Sequence, residues 1–244
     1  MNKTLILAHR GACAYAPENT LPSFQLAVDM GADGIECDIH LTKDGHFLVC
    51  HDDKVQRTSN GKGYIKDLTL SEVKSLDFGA WFDKKFAGVT APVLEEMLDV
   101  VKNMKVINIE IKRFEGCDNQ DEALNRFYSV LTGCGVLKNT IVSSFDKQIL
   151  KRLKELHADV YTCLLYDKID RPAFTAQSIG CSAIHPHFGY LKKVTVDNAH
   201  ARNLKVNCWT ADGEEDIARM LKIGCDGIIS NKPDVAMSVR SKAK

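Results

Sequence analysis

Apolar, β-rich runs alternate with helical stretches along the whole chain, and this alternation is what most restricts the fold. Leaving out one short hairpin arm, the runs with strand character begin near residues 5, 34, 106, 140, 161, 182, 205 and 226. Repeated βα units predict a parallel sheet, and eight of them within 244 residues predict a closed (β/α)8 TIM barrel of the α/β class. An open doubly wound sheet is the alternative fold. Neither GxGxxG nor GxxxxGKS/T occurs in the chain, which weakens the nucleotide-binding forms of that alternative.

The eight units extend over the whole chain, so we expect one barrel domain over residues 1–244. Residues 53–91 break the alternation, are rich in Gly, Lys, Asp and Ser, and follow the second strand and its hairpin arm. We interpret this segment as a small cap subdomain inserted into the barrel. Four aromatic residues are expected to form a small buried core within it, namely Phe78, Trp81, Phe82 and Phe86.

Charge and cysteine content exclude several classes of protein. The 32 basic and 32 acidic residues leave no net charge, whereas proteins that bind nucleic acid or anionic membranes usually carry a basic excess. The nine cysteines are scattered singly without a CxxC spacing, which argues against a zinc module and against a disulfide framework. No apolar run has the length of a membrane span. We therefore expect a cytoplasmic protein without stable membrane insertion and with reduced thiols.

Two carboxylates lie in an otherwise apolar strand at Glu36 and Asp38, and their spacing places both on one face. Asp44-Gly45 predicts a two-residue hairpin turn, and the resulting register would place Asp38 opposite His51. Buried carboxylates are costly unless they are paired or bound to a cation. The segment therefore indicates either a metal site beside an acid/base group or a solvent-facing strand with polar outward positions.

Charged and aromatic residues gather where a barrel would carry its chemistry. In such a fold the active residues lie at the C-terminal ends of the strands and in the loops that follow. This rule selects His9, Arg10, Asp38, Glu110, Lys112, Phe145, His185, Trp209 and Asn231.

With these residues placed, the chain resembles the glycerophosphodiester phosphodiesterase family, in its bacterial cytosolic type. The resemblance covers essentially the full length, because the motifs follow the family's order from the first strand to the last. The matching motifs are His9-Arg10-Gly11, Pro17-Glu18-Asn19-Thr20, Glu36-x-Asp38, Thr42-Lys43-Asp44-Gly45, His51-Asp52, Asn108-x-Glu110-x-Lys112, Ser144-Phe145, Trp209-Thr210 and Gly224-x-Asp226-Gly227.

The resemblance implies a barrel with a small insertion after the second strand, which fits residues 53–91. It also implies a metal held by Glu36, Asp38 and Glu110 and an acid/base pair formed by His9 and His51. Three carboxylates without a cysteine or histidine ligand suit a hard cation, Mg²⁺ or Ca²⁺, better than Zn²⁺.

Five further residues are expected to contact the substrate. Arg10 and Lys112 would place positive charge beside the phosphate. The resemblance implies that Glu18 orients a group of the active site. Phe145 and Trp209 either form a wall of the pocket against the glycerol group or belong to the core, and the sequence favours neither.

The resemblance implies metal-dependent hydrolysis of glycerophosphodiesters to sn-glycerol 3-phosphate and an alcohol. One histidine must accept the proton of the nucleophile and the other must protonate the leaving alkoxide, but the sequence does not decide which does which. Two other functions stay open. One is a lysophospholipase D-like activity on a lipid with the same headgroup, and the other is non-catalytic binding of a phosphate ligand. The oligomeric state is left open between a monomer and a homodimer.

Two positions depart from the family pattern. Asp212 stands where Asn is frequent, and Asn231 stands where Asp is common. Since neither residue belongs to the proposed metal or acid/base set, we expect them to affect substrate preference and to leave the activity intact.

Overall fold

The computed structural model describes residues 4–114, 117 and 119–243. Residues 1–3, 115–116, 118 and 244 of the predicted domain lie outside the described residues. The strands are β1 (Leu5–His9), β2 (Gly34–Leu41), β3 (Phe47–Val49), β4 (Val106–Ile111), β5 (Thr140–Ser144), β6 (Tyr161–Tyr166), β7 (Ala183–Pro186), β8 (Lys205–Cys208) and β9 (Gly227–Ser230).

The sheet closes on itself, which confirms the predicted barrel. Its strand order is β1-β9-β8-β7-β6-β5-β4-β2-β3, and β1 also pairs in parallel with β2. Eight parallel strands therefore form the barrel, while β3 pairs antiparallel with the end of β2 outside it.

The helices fill the connections between strands and pack around the barrel. They are α1 (Leu21–Asp29), α2 (Leu70–Lys74), α3 (Leu94–Val101), α4 (Gln120–Gly133), α5 (Lys147–Leu156), α6 (Pro172–Ser178), α7 (Lys193–His200), α8 (Glu214–Ile223) and α9 (Pro233–Lys242). Helix α5 shows why they form: Asp146 caps its first turn by accepting from the backbone N–H of Gln148. Its residues Ile149, Leu150 and Leu153 recur at helical spacing and are fully buried or nearly so.

Alternation along the strands separates the core from the barrel interior. On β2 and β4, the apolar residues Cys37, Ile39 and Ile109 point outward and belong to the core between barrel and helices. Their neighbours in sequence point inward, where parallel pairing places Asp38 beside Glu110. Pairing of β1 with β2 likewise places His9 beside Glu36. The register of these three strands thus brings the polar residues to one end of the interior.

The hairpin after β2 has a different register from the predicted one. Leu41 pairs with Phe47, and the backbone N–H of Thr42 donates to the carbonyl of His46 at 3.0 Å, so the loop has three residues and not two. Gly45 ends the loop with φ +81°, a conformation that favours glycine and is typical of three-residue hairpin loops.

Asp38 therefore stands opposite Cys50, whose N–H donates to the Asp38 carbonyl at 3.0 Å, and the predicted Asp38–His51 pair is wrong by one residue. The one-residue shift does not remove His51 from the site, because β3 ends at Val49 and His51 lies beyond the ladder. Its carbonyl oxygen is instead contacted by Nε2 of His40 at 3.0 Å.

Residues 53–91 contain α2 and three short 3₁₀ turns, and their buried core is mainly aliphatic. Phe78 is buried within it, together with Val55, Ile65 and Val73. The predicted aromatic core is otherwise wrong, since Trp81 is 42% exposed and Phe82 and Phe86 are half-buried. The three rings form a chain of edge-to-face contacts on the surface of the segment.

Two sequence expectations concern the cysteine thiols and membrane-spanning helices. All nine cysteines are free thiols. Within the part of the chain that the structure describes, no helix combines the length and the apolar character needed to cross a membrane.

Candidate active site

A tight turn directly after β1 places the side chain of Arg10 at the mouth of the barrel. Arg10 has φ +53° and Gly11 has φ +79°, both in the left-handed region. A Cβ on Gly11 would approach the backbone oxygen of Ser23 to 2.7 Å, so this position requires glycine. The N–H of Arg10 donates to Oε2 of Glu36 at 3.1 Å. This bond fixes the turn to β2.

Three carboxylates meet at this end of the barrel. Glu36, Asp38 and Glu110 are all buried, and one oxygen of each lies within 4.8 Å of an oxygen of the other two. Such a group of hard oxygen donors fits a cation of the Mg²⁺ or Ca²⁺ type. The structure thus brings together the three residues that the resemblance implies as metal ligands.

Asp38 is the most heavily bonded carboxylate of the three. Its Oδ1 atom lies 2.8 Å from Nζ of Lys112, and its Oδ2 atom accepts from the Nδ2 amide of Asn19 at 2.9 Å. Nε of Arg10 lies 3.5 Å from the same Oδ2 atom. Lys112 also donates to Glu110. Among the described residues, Nε of Arg10 makes no hydrogen bond although it is buried. The Asp38 carboxylate is therefore held by one amide and faces two cationic side chains.

The electrostatics of the cluster favour an additional cation. Burial raises the pKa of Glu36 well above its ordinary value, and the nearby charges of Asp38 and Glu110 add to the shift. Burial, with the charge of Asp38, likewise raises the pKa of Glu110 to about 7. Burial would also raise the pKa of Asp38, but Lys112 and Arg10 outweigh it and hold that pKa well below the usual range. Two carboxyl groups thus carry unrelieved repulsion, which a bound divalent cation would remove.

His9 lies at the end of β1 beside this cluster. Its Nδ1 atom is 2.7 Å from Oδ1 of Asn231, and its Nε2 atom is 3.8 Å from Oε2 of Glu36. Burial, reinforced by the charge of Arg10, lowers the pKa of His9 to about 4. The ring is therefore neutral near pH 7 and can accept a proton.

His51 lies near Asp38 of the carboxylate cluster and has an acidic partner. Its Nδ1 atom lies 2.6 Å from Oδ1 of Asp52. Burial lowers the pKa of His51, while the nearby charge of Asp38 and the bond to Asp52 act in the opposite direction. The two histidines therefore differ in their Nδ1 partner, which is a neutral amide for His9 and a carboxylate for His51.

A network of ion pairs connects His51 with Arg10. It depends on a residue that the sequence analysis did not select. Arg57, in the 53–91 segment, donates from Nε to Asp52 at 2.6 Å. It also donates two bonds to Glu18, whose Oε1 atom accepts from Arg10 at 2.8 Å. Glu18 is thus bonded to both Arg10 and Arg57. No strand-end rule could have selected Arg57, because it lies outside the barrel.

Phe145 and Trp209 follow β5 and β8 at the same end of the barrel. Their ring centroids lie 5.7 Å apart in an edge-to-face contact, and Phe145 is 46% exposed. Trp209 is half-buried, and its indole N–H donates to the carbonyl of His185 at 2.8 Å. Phe145 is therefore not part of the core, and the pair forms an aromatic surface at the barrel mouth.

Of the two departures from the family pattern, Asn231 contacts the acid/base set and Asp212 contacts Asn231, so the expectation that both are separate from this set is wrong for Asn231. Asn231 bonds to His9, and its Nδ2 amide donates to Asp212 at 2.6 Å. The strand-end rule did select Asn231. Its bond to His9 was not foreseen because it joins residues 222 positions apart in the chain.

Comparison with known proteins agrees with this arrangement. The model of the "Glycerophosphoryl diester phosphodiesterase family" matches residues 9–235. The chain is 36% identical over 242 residues to a glycerophosphodiester phosphodiesterase of Caldanaerobacter subterraneus subsp. tengcongensis, covering 98% of this chain and 99% of the relative. It is also 36% identical over 252 residues to a glycerophosphodiester phosphodiesterase of Bacillus altitudinis, covering 99% and 100%.

A solved structure extends the comparison to a bound product. A phosphodiesterase of Oleispira antarctica, in complex with sn-glycerol 3-phosphate, superimposes with a TM-score of 0.89 at 27% identity, covering 98% of this chain and 97% of that one. A glycerophosphodiester phosphodiesterase from Galdieria sulphuraria, described as putative, superimposes with a TM-score of 0.86 at 29% identity, covering 98% of both chains. From the match to the family model and the full-length identity to its relatives, the chain belongs to the glycerophosphoryl diester phosphodiesterase family.

Proposed function

We propose that this protein hydrolyses glycerophosphodiesters to sn-glycerol 3-phosphate and an alcohol, with one divalent cation as cofactor. The observation that carries the proposal is the meeting of three buried carboxylates with two histidines and two half-buried cations at one end of the barrel. Family membership and the product held by the Oleispira antarctica phosphodiesterase support the same substrate class.

Glu36, Asp38 and Glu110 would hold the cation, Mg²⁺ or Ca²⁺. When bound, such a cation supplies positive charge that orients the phosphate and offsets the charge developing on its oxygens. Arg10 and Lys112 are the only side-chain cations that pair with these carboxylates among the described residues, apart from the His9 contact. They leave one carboxylate charge without a cationic partner, which supports the binding of a further cation.

The remaining residues bind the substrate, hold a binding residue in place or transfer protons. Arg10 and Lys112 bind the non-bridging phosphate oxygens, and Glu18 holds the guanidinium of Arg10 in place. His9 and His51 carry the two proton transfers of the reaction. Phe145 and Trp209 form an apolar wall for the carbon chain of the glycerol group.

Residues 53–91 act as a cap on the single barrel domain. The support for this role is Arg57, which binds both Asp52 beside His51 and Glu18 beside Arg10. The cap therefore contributes a contact to each side of the site. A cytoplasmic location is supported by the nine free thiols. A homodimer stays one of the two oligomeric states that the sequence leaves open.

Release of sn-glycerol 3-phosphate from glycerophosphocholine and glycerophosphoethanolamine, with and without EDTA, tests the proposal. We expect release that EDTA abolishes and that added Mg²⁺ or Ca²⁺ restores. Comparison of the two ions in the restored enzyme identifies the better cofactor. Undiminished turnover in EDTA would contradict the role of the cation.

A lysophospholipase D-like activity is the second candidate, and one observation favours it. Trp81, Phe82 and Phe86 form a partly exposed aromatic surface on the 53–91 segment, where a lipid chain could pack. Turnover of lysophosphatidylcholine by wild type and by Trp81→Ala tests this candidate. A loss specific to the lipid substrate supports it, and absence of turnover by wild type excludes it. Non-catalytic binding predicts no release from any of these substrates.

A further inference from the structure

A chain of hydrogen bonds runs from Asp212 through Asn231 to His9. The Asp212 carboxylate accepts from the backbone N–H of Asn231 at 2.8 Å and from its Nδ2 amide at 2.6 Å. The Oδ1 atom of Asn231 lies 2.7 Å from Nδ1 of His9 and accepts from the thiol of Cys13 at 2.8 Å. Asp212 also accepts from the hydroxyl of Ser230 at 2.9 Å.

Hydrogen-bonding capacity fixes the direction of every bond in this chain. An ionised carboxylate only accepts, so the amide of Asn231 must turn its NH₂ group to Asp212 and its oxygen to His9. Burial raises the pKa of the Cys13 thiol to about 12, so this group keeps its proton and donates. The oxygen of Asn231 therefore faces two donors, and Nδ1 of His9 must carry the hydrogen. The Nε2 atom of the neutral ring then bears the free lone pair.

We propose that Asp212 is a positioning residue that acts through Asn231 to hold His9 as its Nδ1–H tautomer, which makes His9 the proton acceptor of the reaction. The lone pair on Nε2 is on the side of the ring that faces the carboxylate cluster, where Nε2 lies 3.8 Å from Glu36. His51 is then the proton donor, and its Asp52 partner stabilises the protonated ring. This inference rests on the proposed function, because it assigns roles within that reaction.

The proton balance of the step follows from these roles. The attacking hydroxyl forms a bond to phosphorus and gives its proton to Nε2 of His9. The bond between phosphorus and the leaving alcohol oxygen breaks, and that oxygen takes a proton from Nε2 of His51. An imidazole held in the other tautomer would present an N–H to the nucleophile and could not accept its proton.

The tautomer can be observed directly, without any assay of activity. Two-bond ¹H–¹⁵N correlation spectra of the full chain near pH 8, with and without Mg²⁺, report which ring nitrogen carries hydrogen, and His9→Gln identifies the His9 signals. We expect wild-type His9 to be Nδ1–H and unprotonated at Nε2. In Asp212→Asn the Asn231 amide can turn over, because its partner both donates and accepts, and we expect a mixture of tautomers. Wild-type His9 in the Nε2–H form, or an unchanged tautomer in Asp212→Asn, overturns the inference.

Kinetics separate positioning from a merely structural role. We expect Asp212→Asn to lower kcat by about tenfold or more and to leave KM unchanged. The loss should not exceed the roughly 10²–10⁴-fold that general acid–base catalysis contributes as a whole. The double variant Asp212→Asn/Asn231→Asp restores an acceptor-only carboxylate against His9 and should recover most of kcat. Asp99→Asn is the matched control, since it removes the same charge from an exposed ion pair with Lys102.

Each kinetic result has a defined meaning. A double variant as slow as Asp212→Asn, or a single variant as fast as the Asp99→Asn control, overturns the catalytic assignment. A wild type that releases no sn-glycerol 3-phosphate contradicts the proposed function, whereas the spectra still confirm or exclude the control of the tautomer by Asp212. If Asp212→Asn does not fold, the wild-type tautomer and the double variant still decide the matter.

Discussion

Arg57 donates two hydrogen bonds to the carboxylate of Glu18, at 2.9 and 2.7 Å, although the two residues lie on different parts of the fold. Glu18 follows β1 of the barrel, and Arg57 belongs to the 53–91 segment. Because Glu18 also accepts from Arg10, and Arg57 also donates to Asp52, one guanidinium orders residues on both sides of the site. The 53–91 segment and the barrel are therefore coupled through charge as well as through packing.

Removal of the Arg57 side chain should lower kcat/KM strongly and the stability of the fold only slightly. In Arg57→Ala both Asp52 and Glu18 lose a partner, and we expect kcat/KM to fall about 10- to 100-fold, as when groups that orient a site are removed elsewhere. Steady-state kinetics with glycerophosphocholine measures the change. Arg152→Ala is the matched control, because Arg152 forms a comparable two-point ion pair with Asp121 on the outer helices. Equal kinetics of the two variants would refute a role for Arg57.

Affinity for the divalent cation should depend on pH around neutrality. The Glu110 carboxyl, with its pKa raised to about 7, is protonated below that pH, and a cation must then displace the proton. For one such proton, the Kd for Ca²⁺ should be about tenfold weaker at pH 6 than at pH 8, by calorimetry on the apoprotein. In Glu110→Gln binding should be weaker and should lose this part of the pH dependence. Equal Kd values for wild type at the two pH values would contradict the prediction.

Loss of His51 should abolish most of the catalysis without loss of the fold. We expect His51→Ala to lower kcat by about 10²–10⁴-fold, the contribution of one general acid or base. His157→Ala serves as the control, because His157 stacks on Tyr128 with ring centroids 3.8 Å apart, on the helical outer layer. Turnover by His51→Ala within about twofold of this control would remove His51 from the mechanism.

Asp33 should be important for stability and not for the reaction. Its buried carboxylate accepts from the backbone N–H of Ile6 at 3.0 Å, from Lys105 at 2.7 Å and from Arg240. Asp33→Asn removes the negative charge that pairs with Arg240, and breaking this largely buried ion pair is expected to cost about 3 kcal/mol. Denaturant unfolding at pH 7 measures this cost, and kcat of the folded variant should equal that of wild type.

The same carboxylate predicts a pH dependence of stability. Burial would raise the pKa of Asp33, but the bonds to Lys105 and Arg240 outweigh it and lower that pKa. The stabilisation is therefore fully present above the ordinary aspartate pKa of about 3.8 and is lost as the pH falls through the lower folded value. The difference in unfolding free energy between wild type and Asp33→Asn should therefore shrink as the pH falls below the ordinary aspartate pKa. A constant difference down to pH 2 would show that Asp33 does not carry the effect.

The sequence predicted those parts of the fold and site that depend on local periodicity. The runs Gly34–Leu41 and Val106–Ile111 coincide with β2 and β4 of the structure, because a short apolar run that is buried along its length leaves a strong pattern. The strand-end rule then selected Asp38 and Glu110, whereas the grouping of both with Glu36 as metal ligands came from the resemblance to the family.

What the sequence missed depends on single backbone conformations or on long-range contacts. The hairpin register followed from the left-handed conformation of Gly45, and Asp-Gly is compatible with loops of two and of three residues. The contact of Asn231 with His9 and that of Arg57 with Glu18 join distant parts of the chain, where no periodicity applies. The exposure of Trp81 was missed because composition does not show which aromatic residues of a small segment are covered.

The pairing of β1 with β9 has a consequence for how the chain acquires its shape. Leu5 lies beside Gly227 in that pairing, so this seam of the barrel joins its first strand in the sequence to its last. Until β9 has been made, the strands β1 and β8 each have an unpaired edge that can recruit other chains. Contacts between residues so far apart in sequence form slowly. A nascent chain that stalls before residue 227 is therefore an open sheet at risk of aggregation, and only a chain that includes β9 can become a closed barrel.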